Sequence, residues 1–266
     1  MSRLATRFEK LKSQQRKALV SYVMAGDPQP QVTVPLLHKM VAAGVDVIEL
    51  GLPFSDPMAD GPVIQRASER ALTHKVSLKK VLAMVAEFRL TDSITPIILM
   101  GYANPIEAMG VENFTKFAKT AGVDGVLTVD YPPEECVAFI ASLKASDIDS
   151  IFLLSPTSDS ERTDLIVNQA SGFLYYVSLK GVTGAANLDV DEVRSRVAAI
   201  RAKTALPIGV GFGVKDAVTA KKVAAFADAV VVGSRMVQTI EQSSEDNLML
   251  NVSQLMEELR KAIDSH

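Results

Sequence analysis

The sequence is poor in the residue types that build disulfides and most metal sites. Only one of its 266 residues is cysteine, Cys136, which excludes an internal disulfide and is typical of proteins of a reducing cytosol. The three histidines, His38, His74 and His266, are far apart, so no histidine and cysteine cluster has metal-ligand spacing. A metal held only by carboxylates is not excluded, but no pattern supports one.

The sequence also has no excess of positive charge and no long apolar run. A net charge of -3 argues against the basic surface with which proteins bind nucleic acid. No apolar run approaches the roughly 20 residues that span a bilayer. The polar first 20 residues contain no apolar core of a signal peptide. We therefore expect a cytoplasmic protein that binds neither nucleic acid nor membrane.

Short apolar runs alternate with amphipathic segments along the whole sequence. Eight runs predict strands, at residues 18–24, 45–50, 96–100, 125–129, 150–154, 172–177, 207–210 and 229–232. Near-continuous apolar strands are typical of a parallel sheet that helices cover on both faces. Eight strand–helix units in about 250 residues favour a (β/α)8 barrel, known as the TIM barrel, over an open sheet.

Helical patterns and the absence of a linker complete the predicted fold. Leu4, Phe8 and Leu11 predict an extra N-terminal helix before the first strand. A second helix is expected over residues 33–43, with Thr33 as its cap. No shift in composition divides the chain, so we predict a single catalytic domain over residues 1–266.

Two acids follow the second predicted strand. A carboxylate inside an apolar strand, such as Glu49, is costly unless it is paired or used. Asp60 lies in the loop that comes next, close to the start of a helix. Both could catalyse proton transfer, although Glu49 could equally be a structural acid paired with a basic side chain. Asp56 and Asp60 could also be helix-cap or turn residues, and for Asp56 that interpretation is preferred.

Glycines follow the last two predicted strands, as Gly211-Phe212-Gly213 and Gly233-Ser234. Glycine lets backbone N–H groups approach an anion, and barrels often bind phosphate after strands seven and eight. Either motif alone would be a turn, but the two together predict a phosphorylated substrate. Lys180 could form a Schiff base, although its glycine-rich loop favours a solvated surface lysine.

Taken together, five motifs resemble the tryptophan synthase alpha chain family over almost the whole chain. They are ELGLPFSDPMADGPVIQ from Glu49, YANPI from Tyr102, GVTGA from Gly181, GFGV from Gly211 and VGS from Val232. The resemblance implies a lyase of tryptophan biosynthesis that cleaves indole-3-glycerol phosphate to indole and glyceraldehyde 3-phosphate. It also implies a beta chain as partner, in an alpha2-beta2 heterotetramer. The reaction needs no metal or organic cofactor.

The resemblance also assigns roles to individual residues. Glu49 and Asp60 become the catalytic acids. The substrate slot is expected to comprise Tyr22, Ile64, Met100, Leu127, Tyr175, Thr183 and Phe212. The phosphate is expected to be held by Gly184, Gly213, Gly233 and Ser234, although Arg235, directly after them, is atypical.

Two rival functions and one regulatory hypothesis accompany this interpretation. The rivals are a phosphate-binding aldolase that uses Lys180 and a barrel that regulates without catalysing. Loops 53–61 and 179–188 are candidate lids, and Thr183 is expected to hydrogen-bond Asp60 only when they close. The resemblance places the contact with the beta chain on loop 53–61 and residues 104–110.

Overall fold

The computed structural model describes residues 2–177, 190–211 and 213–265. Within these ranges eight strands and twelve helices follow one another along the chain. None of these helices is long and apolar enough to cross a membrane. The strands are β1 (Ala18–Met24), β2 (Val47–Gly51), β3 (Ile97–Gly101), β4 (Gly125–Thr128), β5 (Asp149–Leu154), β6 (Leu174–Val177), β7 (Ile208–Gly211) and β8 (Ala229–Val232). The helices are α1 (Arg3–Ser13), α2 (Pro30–Ala42), α3 (Pro62–Thr73), α4 (Leu78–Arg89), α5 (Ala103–Met109), α6 (Val111–Ala121), α7 (Val137–Ala145), α8 (Ser160–Gln169), α9 (Val190–Arg201), α10 (Ala217–Ala224), α11 (Ser234–Gln242) and α12 (Leu248–Asp264).

The strands form one closed barrel. Each pairs in parallel with the next in sequence, and β8 pairs with β1. The predicted (β/α)8 fold is confirmed. The predicted bounds of β1 and β8 agree with the structure, whereas those of the other strands differ by one or two residues.

The barrel interior is filled by every second residue of the strands, because successive side chains point to opposite faces. This interior cluster includes Ala18, Val20, Val47, Ile98, Leu127, Ile151, Phe173, Ala229 and Val231. A larger apolar cluster lies between the strands and the surrounding helices.

The predicted N-terminal helix is confirmed as α1, and it closes the N-terminal end of the barrel. Its three apolar residues, Leu4, Phe8 and Leu11, are buried in the interior cluster. The ring centroids of Phe8 and Phe173 are 5.7 Å apart. Because α1 closes this end, a functional site is expected at the opposite end of the barrel, where the C-terminal ends of the strands lie.

The prediction that Thr33 caps a helix is wrong. Helix α2 begins three residues earlier, at Pro30, because proline has no N–H to leave unsatisfied and a backbone angle that suits the first turn. Thr33 is buried instead, and its hydroxyl accepts a hydrogen bond from the Gly26 N–H at 2.9 Å. Two short helices, α5 and α11, were not predicted.

A buried ion pair joins the C-terminal helix to the N-terminal end of the barrel. Asp46, just before β2, accepts hydrogen bonds from the Leu19 N–H at 2.9 Å and from the Arg260 guanidinium at 2.8 Å. Asp46 is 5% exposed and Arg260 is 7% exposed. The pair therefore stabilises the packing of α12 against the barrel, far from the strand ends where the candidate site lies.

Candidate active site

Glu49 lies inside the barrel, near the end of β2. Its register partners are Tyr22 on β1 and Ile98 on β3, and its side chain is 1% exposed. One carboxyl oxygen, Oε1, has no hydrogen-bond partner among the residues that the structure describes. Burial, and secondarily the negative charge of Asp60, raise the pKa of Glu49 to about 8. Glu49 is therefore mainly protonated at neutral pH and able to donate a proton.

Asp60 lies in the loop between β2 and α3. Burial raises its pKa to about 6, against the opposing effect of a hydrogen bond with the Tyr102 hydroxyl. Asp60 is therefore mainly ionised at pH 7, where Glu49 is mainly protonated. Two neighbouring carboxyl groups with different protonation states are what paired acid and acceptor roles require.

The loop that carries Asp60 is held at several points. The Ser68 hydroxyl bonds both the N–H and the carbonyl of Phe54, each at 2.9 Å. The Ala59 N–H donates to the Tyr102 hydroxyl at 3.0 Å, and the Tyr102 and Phe54 rings stack with centroids 5.2 Å apart. Asp56, by contrast, is exposed in a turn, as its turn interpretation predicted.

Two tyrosines flank Glu49 at the mouth of the barrel. Tyr22 is 5% exposed and Tyr175 is 8% exposed. A side-chain carbon on Gly51 would collide with the Tyr22 hydroxyl, and one on Gly211 would collide with the Tyr175 hydroxyl. Glycine at these two strand ends therefore makes room for the phenol rings.

The structure brings three more of the predicted slot residues to this end of the barrel. Met100 and Leu127 are register partners on β3 and β4, and both belong to the interior cluster or pack against it. Ile64 is half-buried in the first turn of α3, where it packs against the apolar cluster that includes Tyr22. Together with the two tyrosines they form an apolar wall beside the acids.

The glycines predicted to hold phosphate lie at neighbouring strand ends. Gly213 follows β7, is exposed, and has φ +78°, a conformation that favours glycine. Gly233 follows β8, and Ser234 begins α11, where no described side chain caps the first turn. The free N–H groups of this turn and the helix dipole favour an anion. Arg235 is exposed on the same turn.

Several predicted residues lie outside the described ranges. These are Thr183, Gly184 and Phe212, together with Lys180 of the rival aldolase interpretation. Tyr102 and Ser68, in turn, were missed by the sequence analysis. Tyr102 opens the YANPI motif, which was noted without a role for its hydroxyl.

The sequence profile of the family described as "Tryptophan synthase alpha chain" matches residues 8–264 of this chain. The chain belongs to the tryptophan synthase alpha chain family. It is 61% identical to the tryptophan synthase alpha chain of Acinetobacter baumannii, with 99% of both chains covered. It is 56% identical to that of Azoarcus sp., over 100% of this chain and 98% of the relative.

Solved structures of the family share the fold. Tryptophan synthase subunit alpha from Legionella pneumophila str. Paris superposes with a TM-score of 0.94 at 44% identity, covering 100% of each chain. A chain of the aminoacrylate-bound tryptophan synthase from M. tuberculosis superposes with a TM-score of 0.89 at 31% identity, covering 99% of this chain and 100% of that one. As a member of the family, the chain cleaves indole-3-glycerol phosphate in tryptophan biosynthesis and works with a beta chain in a complex.

Proposed function

We propose that Glu49 and Asp60 together carry out the cleavage of indole-3-glycerol phosphate to indole and glyceraldehyde 3-phosphate. The observation that carries the proposal is the Glu49 carboxyl, 1% exposed in the barrel interior and with one oxygen unpartnered among the described residues. A buried acid without a basic partner is expensive for a fold that does not use it. Because its pKa is about 8, Glu49 still holds at neutral pH the proton that the reaction needs.

In the first step Glu49 gives its proton to C3 of the indole ring. The ring becomes positively charged, and the ionised Asp60 accepts a hydrogen bond from the indole N–H and stabilises that charge. In the second step the Glu49 carboxylate takes the proton of the side-chain hydroxyl next to the ring. The bond from C3 to the side chain then breaks, its electron pair returns to the ring, and the aldehyde forms. Glu49 ends the cycle protonated.

The apolar wall and the glycines hold the two halves of the substrate. Tyr22, Ile64, Met100, Leu127 and Tyr175 provide a surface for the bicyclic ring, to which Thr183 and Phe212 are expected to add. The phosphate is placed at Gly213, Gly233 and Ser234, with Gly184 as a further contact. Backbone N–H groups at the start of α11 and after β7 supply the donors that a dianion requires.

The beta chain is expected to contact loop 53–61 and residues 104–110. A hydrogen bond links the loop to the residue directly before α5, because the Tyr102 hydroxyl accepts from the Ala59 N–H at 3.0 Å. A partner that binds α5 would therefore bear on the loop that carries Asp60. We further propose that residues 1–266 form one catalytic domain and that the protein is cytoplasmic, which the single buried free thiol, Cys136, supports.

The test is indole release by Glu49→Gln and Asp60→Asn. Each amide keeps the shape of the acid, but glutamine at position 49 cannot transfer the proton and asparagine at position 60 lacks the negative charge that stabilises the ring. Turnover should therefore fall at least a hundredfold, whereas substrate binding changes little. Glu87→Gln is the matched control, because it removes an exposed carboxyl from α4. Wild-type turnover by either active-site variant would remove that residue from the mechanism.

A further inference from the structure

The hydroxyl of Tyr22 is a buried donor without a strong acceptor. Tyr22 is 5% exposed, and the hydrogen bond that its hydroxyl makes within the described residues is to the Met24 thioether, at 3.9 Å. Thioether sulfur is a weak acceptor, and a buried phenol usually finds a better one.

The hydroxyl lies where the loop carrying Asp60 meets the barrel. Tyr22 and Glu49 are register partners, and the phenol ring extends towards the strand end, so that a carbon added to Gly51 would lie 2.6 Å from Tyr22 Cζ. Helix α3 begins at Pro62, two residues after Asp60, and packs against β1. The loop of Asp60 therefore starts at Gly51, beside the Tyr22 hydroxyl, and ends in a helix that packs against β1.

The surrounding charges agree with this placement. Burial raises the pKa of Tyr22 well above its usual value, and the negative charges of Asp60 and then Glu49 raise it further, with smaller contributions from Tyr102 and Asp27. Asp27 is engaged by Arg70 at 2.7 Å, and Glu49, with a pKa of about 8, is mainly protonated at neutral pH, which leaves Asp60 as the ionised acceptor. For the second mouth tyrosine, on the opposite side, the charge that raises the pKa is that of Glu49.

We propose that Tyr22 is a positioning residue that acts through Asp60, its hydroxyl turning from Met24 to donate to the Asp60 carboxylate when that group ionises. Asp60 then receives two phenol donors, one from Tyr102 and one from Tyr22. Two donors fix the orientation of a carboxylate and favour its charged form. The carboxylate is thereby held ready for the indole N–H. This inference rests on the role proposed above for Asp60.

Tyr22→Phe removes the hydroxyl and keeps the ring that packs over Gly51. Without one donor to its charged form, Asp60 should have a higher pKa, and the acid limb of the kcat/KM profile should move to higher pH by about one unit. Below the limb this amounts to about a tenfold loss of kcat/KM. Tyr175→Phe is the matched control, since it removes a hydroxyl from the Glu49 side. Tyr175→Phe can change the rate, but the pH of the acid limb in its kcat/KM profile should be the same as in the wild type.

A carbon-13 NMR titration of the aspartate carboxyls in the full-length chain supplies a readout that does not depend on activity. The Asp60 signal, assigned by its loss in Asp60→Asn, should titrate about one unit higher in Tyr22→Phe than in the wild type. An unchanged Asp60 midpoint overturns the role of Tyr22. Full activity of Asp60→Asn would instead refute the proposed mechanism, so the two failures are distinguishable.

Discussion

Replacing Glu49 by glutamine should stabilise the fold at neutral pH while it abolishes activity. The pKa of Glu49 is raised from 4.5 in the unfolded chain to about 8 in the folded one, first by burial and then by the charge of Asp60. Between these two values the folded chain holds a proton that the unfolded chain has released. The unfolding free energy of the wild type therefore falls as the pH rises through this window. The Glu49→Gln variant does not lose this stability, because glutamine does not titrate.

The magnitude follows from the width of the window. Each pH unit between 4.5 and about 8 costs the wild type about 1.4 kcal/mol of unfolding free energy. At pH 7, roughly 2.5 units above the unfolded pKa, the cost is about 3 kcal/mol. Below about pH 4.5 the Glu49 carboxyl of the wild type is protonated in both the folded and the unfolded chain. Titration of this residue therefore no longer makes the stability of the wild type differ from that of Glu49→Gln.

The assay is urea unfolding, followed by circular dichroism, of wild type, Glu49→Gln and Glu87→Gln at several pH values between about 5 and 8. The free-energy difference between Glu49→Gln and wild type should widen with pH by about 1.4 kcal/mol per unit. The exposed Glu87→Gln variant should follow the wild type in parallel. A difference that does not change with pH would refute the reasoning that Glu49 is held protonated by its buried position.

Three further predictions concern activity and stability. Because Asp60 must be ionised and Glu49 protonated, indole release should follow a bell-shaped pH profile with limbs near 6 and 8, and a profile that is flat between about pH 5 and pH 9 would contradict these roles. Ser234→Asp should weaken binding of glycerol phosphate at least tenfold by placing a negative charge at the start of α11, whereas indole binds as before in calorimetric titrations; equal weakening of both ligands would contradict the phosphate site. Arg260→Met should lower the unfolding free energy by about 3 kcal/mol, because it leaves the buried Asp46 without its closest charged partner. Urea unfolding checks this value, and a loss below about 1 kcal/mol would show that the pair is dispensable.

Much of the fold could be predicted because its signals are local. Each strand is buried on both faces, so it appears in the sequence as an apolar run. Such a run can be recognised without knowing which strands lie beside it. A helix long enough to show a repeating apolar face, such as α1, was predicted for the same reason. The seven residues of α5 and the nine of α11 are too short to show such a face, and both were missed.

The candidate acids could be predicted in part. Glu49 stood out because a carboxylate in an apolar strand is rare, and the motif around it pointed to Asp60 as well. The helix cap assigned to Thr33 failed, because the same residue type also serves as a buried acceptor for a distant turn, here Gly26. Propensity alone does not distinguish these two uses of a threonine hydroxyl.

The sequence by itself therefore determined the barrel, its leading helix and the family, and it singled out the two candidate acids. Only the tertiary structure decided which of the two acids stays protonated at neutral pH. The pKa values depend on burial and on the distance between Glu49 and Asp60, and both depend on closure of the barrel and on the loop that follows β2. It also decided that the Tyr102 hydroxyl hydrogen-bonds Asp60 and that the charge of Asp60 acts on the Tyr22 hydroxyl. These residues are about 40 positions from Asp60 on either side, and no local pattern carries information about contacts over such separations.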